Sequence, residues 1–150
     1  SEKFAATTVT LTSPAALIDI TSHNHGDLID PQQDLTITWS GGNPDGKIAI
    51  RVMPHFQPPQ DGGMNGGHNL GHIPPPPPGP HPGRAIVKIL DNNPGQFTFT
   101  AEQIQNLISE FGADKIVVDV SQFDFSEVQN DGKVLHTAMR NSSSVMLNVQ

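Results

Sequence analysis

Apolar and polar residues alternate with a period of two along most of the chain. Thr7–Thr12 (TTVTLT) sets Val9 and Leu11 on one face. Ala16–Thr21 (ALIDIT) is a second apolar patch. Leu35–Ser40 points Leu35, Ile37 and Trp39 one way and Thr36, Thr38 and Ser40 the other. Lys47–Met53 sets Ile48, Ile50 and Val52 on one face, and Ala85–Leu90 and Gln96–Thr100 extend the series, the latter through Phe97 and Phe99. Lys115–Ser121 directs Ile116, Val118 and Val120 inward, with Phe123 and Phe125 continuing the pattern. Val134–Arg140 and Ser144–Val149 close the chain, the last placing Val145, Leu147 and Val149 together. This period predicts half-buried strands. Turn chemistry separates them: GGNPDG at 41–46, DNNPG at 91–95 and the Asp-Gly of QNDGK at 129–133, where proline presets φ and glycine tolerates φ > 0. Ser22–Asp34 reads as loop, and Ser142-Ser143-Ser144 as a turn.

One stretch has a different period. Ile104, Leu107, Ile108 and Phe111 fall at i, i+3, i+4 and i+7, the apolar stripe of a helix. Thr100 and Gln103 supply a capping-box pattern before it, and Gly112 a C-cap after it. The spacing predicts a helix over about 101–111. Eight or nine short strands and one helix argue for an antiparallel sandwich. Its core should hold Val9, Leu11, Leu35, Ile37, Trp39, Ile48, Ile50, Val52, Phe97, Phe99, Ile104, Leu107, Ile108, Phe111, Ile116, Val118, Val120, Leu147 and Val149.

The pattern breaks over Pro54–Gly83, PHFQPPQDGGMNGGHNLGHIPPPPPGPHPG. This stretch holds ten of the 14 prolines, seven of the 14 glycines and four of the 7 histidines. Strand-like sequence brackets it, so it reads as a loop insertion into a single β domain of 150 residues. Loops of this length are functional or disordered. The insertion dilutes the apolar content to 35%, while the rest of the chain looks ordinary.

The formal net charge is −7 and no basic stripe occurs, which argues against a nucleic-acid partner. No apolar run approaches the ~20 residues that span a bilayer. Ser1-Glu2-Lys3 opens into a Thr-rich strand with no signal peptide, so the chain reads as a mature form or a single module. It has no cysteine, which excludes disulfides, thiolate metal sites and cysteine nucleophiles. Richness in Thr, Ser, Asn and Gly with 15% charged residues points to an extracellular or cell-surface protein.

Four stretches, LTITWSGG (35–42), KIAIRV (47–52), GQFTFTAEQIQNL (95–107) and KIVVDVSQF (115–123), give the chain an architecture that resembles the immunoglobulin-like and fibronectin-III-like sandwich domains of bacterial surface proteins. A strand entering a short helix and then a central strand is similar to the crossover between their two sheets. Trp39 resembles their core tryptophan. The cysteine pair and tyrosine corner of antibody domains are absent, since the chain has neither residue. The resemblance implies a binding, spacer or assembly module more often than an enzyme, in a fold that hosts many functions.

Six histidines lie in two loops: His23 and His25 in one; His55, His68, His72 and His81 in or beside the insertion. Neutral imidazole ligates zinc, copper or nickel, so these six are the candidate metal ligands if the fold makes them converge. The alternative is a polar loop, with Gly62, Gly63, Gly66, Gly67 and Gly71 offering no rigid frame. Asp27, Asp30 and Asp34 share the first loop and offer oxygen ligands to calcium, although solvated loop acids are commoner. Pro74–Pro78 favours polyproline II, either a ligand for a partner's aromatic groove or a stiff strut. No required cofactor and no catalytic motif is legible. His136 reads as a satisfied sheet residue and Asp119 as solvent-facing. Asn141-Ser142-Ser143 fits a glycosylation sequon. Phe4–Thr12 is either the first strand of its own sandwich or a strand donated to a neighbour's sheet edge. The sequence therefore points to a non-enzymatic structural or interaction module. Its partners would be other protein subunits, neighbouring domains or copies of itself; the alternative is a His-rich metal-binding module.

Overall fold

A computed structural model describes residues 16–55, 85–130 and 132–150. The predicted strand at 7–12, with Val9 and Leu11, lies outside the described residues, as do His68, His72 and His81. The elements run β1 (Asp19–Ile20), β2 (Leu28–Ile29), β3 (Leu35–Ser40), β4 (Ile48–Pro54), β5 (Ile86–Leu90), β6 (Gln96–Phe99), α1 (Ala101–Phe111), β7 (Lys115–Asn130) and β8 (Lys133–Val149). They form a three-stranded sheet in the order β1-β3-β6 and a five-stranded sheet in the order β2-β8-β7-β4-β5. The described chain is thus all-β with one helix. Every pairing is antiparallel except β2 with β8.

Alternation decides which side chains meet. Ile48, Ile50 and Val52 of β4, with Ile116, Val118 and Val120 of β7, are fully buried, and Leu35, Ile37 and Trp39 of β3 and Phe99 of β6 join them in one apolar cluster. At about 1.5–3 kcal/mol for each fully buried Val, Leu, Ile or Phe, this cluster is the dominant favourable contribution to folding. Ile18, Ile20, Ile29 and Val145 also belong to it. Phe97, Ile108, Phe111 and Val149 are only partly buried against it. Trp39 donates its indole N–H to Asn93 Oδ1 at 2.8 Å, so its one polar group is satisfied inside the fold.

The helix forms as its spacing predicts. Thr100 accepts a hydrogen bond from Gln103 N, the Gln103 side chain accepts from Thr100 N, and Gly112 closes the helix in the left-handed region at φ 59°. Asp34, just before β3 in the same sheet as β6, adds a bond, accepting from Ala101 N at 2.8 Å. α1 carries the chain from β6 in the small sheet to β7 in the large one. The insertion leaves β4 at Pro54 and returns into β5, so it joins two neighbouring strands of one sheet. No helix among the described residues is long and apolar enough to cross a membrane.

Two expectations are corrected. Ser142-Ser143-Ser144 is not a turn: β8 runs through it unbroken, with Ser142, Ser143 and Ser144 opposite Ser121, Val120 and Asp119. Asp119 does not face solvent; it is 6% exposed, because two arginines close over it.

Candidate interaction surface

The β7–β8 hairpin runs far beyond the strands that flank it in the large sheet. β4 accompanies β7 only as far as Gln122, opposite Ile48. β2 accompanies β8 only at Asn148 and Val149. Beyond Gln122 and Asn141 the two strands pair, among the described residues, only with each other, for eight rungs from Phe123↔Arg140 to Asn130↔Lys133. At about 3.4 Å per residue this arm is about 24 Å long. Gly132, at φ 73°, lies in the two-residue connection at its tip, as the Asp-Gly sequence predicts.

The root of the arm is clamped from both faces. On the inward face Gln122 and Asn141 oppose each other, both buried. Gln122 accepts from Asn43 N at 2.7 Å and donates to Asn43 O at 2.9 Å. Asn141 accepts from Ile18 N at 2.9 Å and donates to Ala16 O at 3.4 Å. Two carboxamides thereby replace the backbone partners that the loops of the small sheet would otherwise lack. On the outward face Asp119 receives Arg51 from β4, 2.8 Å from Nη2, and Arg140 from the arm, 3.1 Å from Nη2 to each carboxylate oxygen. Arg140 sits opposite Phe123 but reaches back along the strand to Asp119, four rungs away in the register, with its guanidinium carbon 5.7 Å from the Phe123 ring centroid.

Past this root the arm exposes apolar side chains on both faces. Phe123 and Phe125 stack on the outward face with centroids 6.2 Å apart, and Phe125 is 75% exposed. Val134 is exposed on the same face by alternation, and Leu135 on the opposite one. His136 lies opposite Glu127 in the β7–β8 ladder and contacts it at 3.1 Å; both are exposed, so His136 is a partnered strand residue on the arm's surface. Alternation carried a readable signal of the arm. The buried apolar residues of β7, Ile116, Val118 and Val120, are even-numbered, whereas the two phenylalanines that follow, Phe123 and Phe125, are odd-numbered, a change of face that marks where the strand leaves the core.

The other candidates are dispersed. His23 bonds Ser22 through Nδ1, and His25 accepts Met146 N through Nδ1 at 3.1 Å along the outer side of β8. His55 follows β4 and donates its backbone N–H to Lys115 O, so β7 and β8 lie between it and His25. Asp27 accepts from Asn24 N, Asp30 from Gln32 N and the Gln33 side chain, and Asp34 from Ala101 N. Among the described residues no group of three His, Asp or Glu side chains is arranged to hold an ion. An open groove of about 270 Å³ between α1 and the start of β5 is lined by Ile86, Leu107 and Phe111, with Glu110 its only titratable group. Comparison of the chain with family models, curated proteins and solved structures finds no match.

Proposed function

We propose that this chain is an immunoglobulin-like sandwich serving as a non-enzymatic interaction module of an extracytoplasmic assembly, with the β7–β8 arm as its contact element. The strand orders β1-β3-β6 and β2-β8-β7-β4-β5, the helix on the crossover and the tryptophan of β3 support the sandwich type. The arm is the observation that carries the function. A two-stranded ribbon is marginal by itself in water, and the exposed apolar groups on both of its faces lie outside the apolar cluster of the described residues. Exposed aromatic residues of this kind favour burial against a partner. Pairing through Phe4–Thr12 is a second contact of the same type.

The test is to shorten the arm. Replacing Phe123–Arg140 by Asn-Gly joins Gln122 to Asn141 through a hairpin turn. The shortened chain should unfold cooperatively, with a midpoint no lower than that of Arg140→Ala alone, because the Asp119–Arg140 contact is the arm's main bond to the body. Loss of cooperative folding would show that the arm belongs to the fold, and the interaction reading would fail.

A further inference from the structure

Among the described residues, the unpaired edges of the large sheet are unequal. β5 is guarded: Lys88 stands opposite the buried Ile50 and so projects toward the core side of an edge strand. Inward-pointing charges of this kind discourage strand addition. The outer edge of β8 lacks such a guard. From Val134 to Met139 (VLHTAM) it has no proline and no Asp, Glu, Lys or Arg, and its register with β7 is continuous, without a bulge. No strand among the described residues pairs with its outer side before Asn148.

The direction of its backbone groups follows from the body. Met146 N and O and Asn148 N bond outward, to His25 Nδ1, Gly26 N and Asp27 O, whereas Val149 N bonds inward to Asp114 O. With no bulge, the even-numbered residues of β8 present their N–H and C=O outward along the arm.

We propose that this edge pairs antiparallel with the same edge of a second copy of the chain, about a twofold axis at Thr137. The inference rests on reading the arm as the contact element. Self-complementarity selects the occupant and the register. Centring on Thr137 sets Leu135 opposite Met139, His136 opposite Ala138 and Val134 opposite Arg140, each twice, with even residues facing even ones. Apolar residues meet on one face, and no two ionisable groups stand opposite each other. Moving the centre one residue toward the C-terminus sets His136 against Arg140, which disfavours that register. An isologous twofold contact closes on itself and forms a dimer, not a fibre. A contact of one strand edge is smaller than the ~800 Å² per partner of a stable complex, so the dimer should be reversible.

The absence of cysteine permits a clean test. Thr137 would form a non-hydrogen-bonded pair with its symmetry mate, with Cα atoms about 4.5 Å apart, inside the range that a disulfide spans. Sedimentation of the full chain should show a dimer whose population rises with concentration. Under mild oxidation Thr137→Cys should cross-link, and Leu135→Cys, more than about 13 Å from its own mate, should not. Ala138→Pro removes an outward N–H while leaving the bonds to β7, and should weaken dimerisation at least tenfold. A chain that stays monomeric without cross-linking at position 137 overturns the proposal, while the shortened arm reports separately on the interaction reading. A dimer that survives Ala138→Pro but is lost on deleting residues 1–12 overturns it in favour of the N-terminal strand.

Discussion

Asp119 and Trp39 show how differently single residues declare themselves. Trp39 sits in a clean alternation beside Leu35 and Ile37, so its burial is legible. Its partner is not, because Asn93 lies 54 positions away in a turn. Trp39→Ala removes a ring that is 5% exposed and should cost about 3–5 kcal/mol; a denaturant midpoint equal to the parent's would refute the assignment. Asp119 alternates outward, and the sequence suggests solvent. Burial comes from Arg51 and Arg140, which no local pattern joins to it. Removing one partner of a fully buried pair costs about 3–5 kcal/mol. Here the arginine side chains are 35% and 45% exposed and regain water, so Asp119→Ala should cost about 1–2 kcal/mol. Hydrogen exchange should quicken mainly between Phe123 and Arg140, since that is where the released guanidinium belongs; unchanged exchange there would mean that Asp119 does not hold the arm.

Elements built from local signals were readable, and those held by distant partners were not. α1 appears with its predicted bounds because its stripe, its capping box and Gly112 all lie within a dozen residues. The middle of β8 is the opposite case. Asn-Ser-Ser-Ser has low strand preference and resembles a turn, yet it stays extended because β7 pairs with it rung by rung and two of its side chains take the backbone N–H groups of Ile18 and Ile20. Asn141→Ala should therefore behave as the loss of a buried partner rather than of a turn residue. It leaves Ile18 N without its acceptor and should cost about 1–3 kcal/mol. A substitution within a few tenths of a kcal/mol of neutral, measured by urea unfolding, would show that the β1 lead-in is held by packing alone. Gly41 marks the same junction from the other side. A Cβ there would fall 1.9 Å from Leu17 O, at a φ of 82°, so only glycine lets the β3 turn pass so close to that lead-in.

At the scale of the whole molecule, one chain carries a dense body and a thin projection, and the two should differ in how they open. The body couples β3, β4, β7 and β8 through one apolar cluster, so its amides exchange only when that cluster comes apart. The arm has a single ladder and no core of its own, and two-stranded ribbons are marginal in water. Native-state hydrogen exchange should therefore resolve two classes. Amides of Ile48–Val52 and Ile116–Val120 should exchange at the free energy of global unfolding, with a steep dependence on denaturant because opening exposes the core. Amides of the arm between Phe123 and Arg140 should exchange at far lower free energy in dilute solution, almost independently of denaturant, since fraying exposes little new surface. The even-numbered amides of β8 should be the fastest, as they face away from β7. Raising the protein concentration should slow those even-numbered amides first if a second copy pairs with that edge. A single class, with arm and body exchanging together, would make the hairpin one cooperative unit with the body. The body would then be the larger object, and the apolar arm a strut within it rather than a contact.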